Sequence, residues 1–120
     1  HHRLPADLSG GLDALPEAER QLVRDLAWFY DNLGALVAHD VVEAGPVAGY
    51  LGGSVISTWD RLEPLVAVER ERRAGGPDDG RWQEYFENMA HLFRHRFPPE
   101  RERRRLGNWI LDSRGGHRAG

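Results

Sequence analysis

The sequence contains no cysteine and no lysine, and all 16 of its basic residues are arginine. The first absence excludes disulfides, thiolate nucleophiles and cysteine-based zinc sites. The second excludes Schiff-base chemistry and a lysine of depressed pKa acting as a base, because a guanidinium stays protonated in proteins. Methionine occurs once, at Met89. No apolar run approaches the roughly 18–20 residues of a membrane span, and the opening HHRLPADLSG lacks the charged-then-apolar layout of a signal peptide. The formal net charge of −3 is not that of a general nucleic-acid binder, which carries a domain-wide basic excess. A cytoplasmic protein with no membrane and no nucleic-acid partner is expected.

What is present suits a single domain. The chain has 120 residues, 40% of them apolar and 29% charged, enough to bury roughly two thirds of its extended-chain surface. Leu22, Leu26, Phe29, Leu33 and Leu36 alternate at spacings of four and three, the signature of an amphipathic helix. Pro16 opens that helix, acidic Glu17 and Glu19 suit its positive end, and it should stop near His39 and Asp40. Val23, Tyr30 and Val37 widen the stripe, and Trp28 lies off its centre. Gly45-Pro46 starts a further turn, and Gly52-Gly53 predicts a break or bend. Ser54 is the expected N-cap of a helix carrying Val55, Trp59, Leu62 and Val66, with a kink at Pro64. A loop, AGGPDDG, precedes a last long helix, with Asp78 or Asp79 as its N-cap and Trp82, Phe86, Met89 and Phe93 on its apolar face.

These elements define an all-α fold, a small bundle of three long helices and one or two short ones. Residues 1–15 read as an N-terminal arm whose leucines lie on the body, 16–97 as the bundle, 98–112 as a short helix or docking segment, and 113–120 as a disordered tail. The apolar faces are wide for so short a chain, and a homodimer is the expected way to cover them.

Three polar groups stand out. Glu84, Glu87, Asn88, His91 and His95 share one side of the last long helix, opposite Met89. A histidine pair one turn apart can bind a metal or move protons, but a solvated face is the simpler reading and no metal is expected. Tyr50 precedes the paired glycines, where backbone can approach a ligand, and Trp59, Asp60 and Glu63 follow. Arg24, Asp25, Tyr30, Asp31 and Asn32 form a third set on the first helix. The arginines from Arg101 to Arg105 are interleaved with Glu100 and Glu102, which dilutes them into an ordinary solvated run.

The segments LAWFYDNLGALVAHDVV, VAGYLGGSVISTWDRLEPLV and RWQEYFENMAHLFRHR resemble a bacterial family of small helical domains of unknown function. That likeness spans Leu26 to Arg96 and rests on packing motifs, so it implies a fold and no chemistry. In size and arginine-rich, cysteine-free style the chain is also similar to the lysinoalanine-forming proteins of cinnamycin- and duramycin-type lantibiotic clusters. No functional motif aligns with those proteins. The likeness implies a dimer with no cofactor that adds a lysine amine of a modified precursor peptide to a dehydroalanine. Such an addition needs a proton acceptor, donors for the enolate, and a groove that holds both reacting groups. On that expectation His91, Glu87 and Tyr50 handle protons, while Arg24, Tyr30, Trp59 and Tyr85 line the groove. The alternative expectation is a non-catalytic helical homodimer that binds a peptide or protein partner.

Overall fold

A computed structural model describes residues 9–77 and 80–115, with 109–115 by backbone only. A short 3-10 turn, Gly11–Ala14, leads into α1 (Glu17–Ala38), α2 (Ala44–Arg72), α3 (Glu84–His95) and α4 (Pro99–Gly115). Strands are absent among the described residues, and no helix there is long and apolar enough to cross a membrane. The all-α bundle expected from the apolar periodicity is what forms.

The longest element, α2, organises the rest. At 1.5 Å per residue it is about 44 Å long. Its C-terminal half receives the 3-10 turn and α3, its N-terminal half receives α4, and α1 packs chiefly on α3. The largest fully buried side chains are Trp59, Phe86, Phe93, Leu65, Met89 and Val55. They gather where α2 and α3 run antiparallel, with the Trp59 and Phe86 rings edge to face at 5.2 Å and Tyr30 of α1 stacked on Phe86 at 5.0 Å.

Several local expectations change. Gly52-Gly53 neither breaks nor caps a helix, because α2 runs unbroken from Ala44 through Ser54 and Pro64 to Arg72. Glycine weakens a helix interior by about 1 kcal/mol, and tertiary contact offsets that here. Gly45, Gly49 and Gly52 lie along one side of α2 and face α4. A Cβ on Gly49 would come within 2.8 Å of Leu106 and 3.0 Å of the α4 backbone at Glu102. The missing side chains therefore let α4 lie close. That helix is not short, and it continues to Gly115, into the stretch expected to be a disordered tail.

The leucine stripe of α1 also turns out differently. The core side of α1 is Val23, Ala27, Tyr30, Gly34 and Val37, the flank of the predicted stripe. Leu26 and Leu33 are half-buried at its rim, and Leu22, Phe29 and Leu36 are 38%, 47% and 41% exposed. Helical periodicity fixes the axis of an apolar band, but the band here spans more than one contact. The smaller residues win the interior because α3 approaches at Gly34.

At the other end of the core, Glu69 is buried with a full set of partners. Its carboxylate accepts the Leu12 N–H at 3.0 Å and pairs with Arg73 at 2.8 Å and Arg72 at 3.6 Å. A buried carboxylate without such partners would be costly; with them it pins the 3-10 turn to α2. Leu12 and Leu15 are thereby buried, as expected of the arm's leucines, while Leu4 and Leu8 lie outside the described residues.

Candidate functional site

The most connected polar arrangement is the joint between α1 and the start of α3. The expected caps, Asp78 and Asp79, lie outside the described residues, and the residue before α3 is Gln83, held at φ +66°. Gln83 is buried and its side chain does not cap the helix; its Oε1 has no hydrogen-bond partner among the described residues. The Glu84 N–H donates to the Arg81 carbonyl at 3.0 Å, which leaves the next N–H groups of α3 in need of an acceptor. Asp31 of α1 supplies the missing acceptor, taking the Phe86 N–H at 3.0 Å and interacting with the Tyr85 N–H. One turn on, Gly34 lies against the Tyr85 backbone, 2.7 Å from its carbonyl carbon to where a Cβ would be. Asp31 and Gly34 are thus a cap and a clearance built on adjacent turns of one helix.

Burial raises the Asp31 carboxyl above its ordinary value; the two N–H groups oppose that, Glu84 adds to it and Arg70 opposes it. A carboxyl whose folded pKa lies above its unfolded one favours the fold most below the unfolded value. That contribution is lost as pH rises through the folded value. An asparagine in its place would keep an acceptor oxygen without the buried charge. Asp31→Asn should therefore gain stability relative to the natural chain as pH rises from the acid side of the carboxylate range to neutrality. Asp31→Ala, with no acceptor, should lose about 1–2 kcal/mol on the acid side, and the loss should shrink as pH rises, because the natural chain gives up the same contribution. Urea unfolding across that pH range checks both. If the stability of the Asp31→Asn chain relative to the natural one fell with rising pH, the assignment would be contradicted.

A second polar corner lies along α2 and α3. Arg70 pairs with Glu87 at 3.0 Å and donates from Nε to the Trp82 carbonyl at 2.8 Å. Arg73 lies 4.6 Å over the Trp82 ring. At the far end of α3, Arg94 pairs with Asp60 at 2.6 Å.

The residues expected to form a site are spread among these joints. Trp59 and Tyr30 are core side chains, 1% and 7% exposed, and not groove linings. Glu87 is engaged by Arg70. Tyr85 has its hydroxyl 3.1 Å from His39 Nε2, tying the end of α1 to the start of α3. Arg24 and His91 are exposed, and no hydrogen bond joins His91 to Glu87 among those described. Tyr50 is 84% exposed on the N-terminal half of α2, about 30 Å along the axis from Arg70. The structure brings Tyr30, Trp59 and Phe86 together, and it does not bring together His91, Glu87 and Tyr50. No group of three His, Asp or Glu side chains among the described residues converges to hold a metal ion.

The residues that matter most to the architecture, Glu69, Gln83, Gly34 and Glu102, are not singled out by periodicity. Asp31 stands in the third polar set, and its role is to cap α3. The one visible signal is the Asp31-x-x-Gly34 spacing, which sets an acceptor and a small residue on one side of a helix.

The fold is an all-α bundle clasped around one long helix, with most of its chemistry-bearing side chains engaged in holding the helices together. The chain belongs to the family described as a domain of unknown function (DUF4760), whose model matches residues 3–96. Neither the curated proteins nor the solved structures provide a match. The matched region ends just before α4.

Proposed function

We propose that this chain is a non-catalytic helical homodimer that binds a protein or peptide partner, and that α1 supplies the dimer contact. The observation that carries this is the outer face of α1. Leu22, Phe29 and Leu36 recur every seven residues and are exposed, and Trp28 beside them is 69% exposed. Ala18, Gln21 and Asn32 complete the face, whose one carboxylate, Asp25, is hydrogen-bonded by Gln21 at 2.9 Å. Aromatic enrichment with depleted charge is the composition of an interface core.

A seven-residue repeat selects another helix as its partner, and this one complements itself. The face is nearly symmetric about Phe29. A two-fold axis there sets Leu22 beside Leu36 of a second copy, and Asp25 close to the Asn32 amide of that copy. The same patch then serves both subunits, as a closed two-fold interface requires.

The lysinoalanine reading has less support, because Tyr50 lies on α2, away from Glu87 and His91 of α3, and Glu87 is held by Arg70. Light scattering tests the dimer. The expected mass is twice the chain's 13.6 kDa at micromolar concentration. Phe29→Glu should weaken association by about 2 kcal/mol or more, roughly 30-fold, with helicity unchanged. A monomeric natural chain, or a dimer indifferent to Phe29→Glu, would overturn the proposal.

A further inference from the structure

The alternation of glutamate and arginine from Glu100 to Arg105 suggests mutual neutralisation, but α4 turns one of the two glutamates away from the surface. Glu102 turns inward, is 4% exposed, and sits against Gly45 of α2. Arg101, Arg103, Arg104 and Arg105 stay on the outside, with Glu100 the one glutamate beside them. Arg101 and Arg105 still touch the inward carboxylate, at 3.2 and 3.7 Å. Arg103 and Arg104 have no ion partner among the described residues. The exposed side of α4 therefore carries more arginine than glutamate, with Arg103 and Arg104 held by no carboxylate among the described residues, on a protein whose net charge is −3.

We propose that this face docks an acidic protein segment, a short run of glutamate or aspartate side chains. Guanidinium groups present a planar fork that matches carboxylates in a bidentate way. The size of the patch and the sign of the rest decide the class of partner. An anionic membrane or a duplex presents negative charge over a wide area, so it meets the acidic remainder of the molecule as well as α4. A short acidic segment engages the patch alone, because charges beyond about 8 Å are largely screened at physiological salt. The described side chains of α4 also include no exposed aromatic on which bases could stack. This docking is independent of the α1 pairing, so a Phe29→Glu chain should bind the segment as the natural chain does.

The test uses the full chain and a fluorescein-labelled peptide of alternating glutamate and glycine, with its glutamine counterpart as control. Fluorescence anisotropy should show binding of the glutamate peptide over the control, weakening as salt rises. The Arg103→Gln/Arg104→Gln chain should bind at least about tenfold more weakly, since each lost charged hydrogen bond counts for a factor of about ten or more. These two side chains hold no structural ion pair, and circular dichroism verifies that α4 stays folded. Equal binding of the two peptides, or undiminished binding by the double variant, would overturn the proposal. Phosphatidylserine vesicles and a single-stranded oligonucleotide form two further arms. Arginine-dependent binding to either, without binding of the peptide, would reject the acidic segment and assign the face to that other polyanion.

Discussion

Trp59→Ala is expected to lower the stability of the fold by about 3–5 kcal/mol, the usual cost of emptying a large aromatic site in a core. Trp59 is 1% exposed, and its ring meets the edge of Phe86, which in turn stacks on Tyr30. Three helices thus share one aromatic column, and removing its α2 member leaves a cavity bordered by Phe86. Total stabilities of small domains lie near 5–15 kcal/mol, so this single change should bring the chain close to unfolding at ambient temperature. Urea denaturation followed by circular dichroism measures it. A loss below about 1 kcal/mol would show that Trp59 lines a surface groove, the role a substrate-binding reading requires.

The second large effect is expected at Gly34. Alanine is a better helix former than glycine by about 1 kcal/mol, so on propensity alone Gly34→Ala would stabilise α1. Its Cβ, however, would collide with the Tyr85 carbonyl. Backbone of α3 cannot rotate aside as a side chain can, and moving it would stretch the Asp31 bond to Phe86. We expect a net loss of about 2 kcal/mol, within the range of overpacked sites. Gly53→Ala provides the control. Gly53 is also inside a helix, but nothing lies within 4 Å of the added Cβ, so the change should stabilise by up to about 1 kcal/mol. Opposite signs at the two glycines in urea midpoints would confirm that Gly34 is a clearance. Equal signs would refute it.

The comparison of these two glycines shows what could be read in advance. Helix existence and the burial of Val55, Trp59, Leu62, Val66, Phe86, Met89 and Phe93 follow from spacing, because repeated apolar residues on one side of a helix have few other places to go. The expected breaks are misplaced where glycine serves a neighbour instead of the chain it sits in. Gly52 looks like punctuation from its own helix, and only the position of Pro99, close against it, explains it. For α1, leucines are more hydrophobic than alanine or glycine, so they claim the core on paper. The interior instead goes to the residues that let α3 come near. Candidate sites suffer more, since a polar group's role depends on what faces it across a joint. Glu87 and His91 are neighbours on one helix, yet Arg70 reaches only Glu87. Likewise Glu100 and Glu102 are alike in sequence and differ in direction.

The length of α2 gives the molecule an asymmetry of mechanics. Its C-terminal half is gripped by the aromatic column, the Glu69 anchor and two ion pairs to α3, whereas its N-terminal half is flanked chiefly by α4. Such a helix is a cantilever, clamped at one end and loaded at the other. A force on the arginine side of α4 is borne by one stiff rod held at its far end, and α1, packed on α3, stands outside that path.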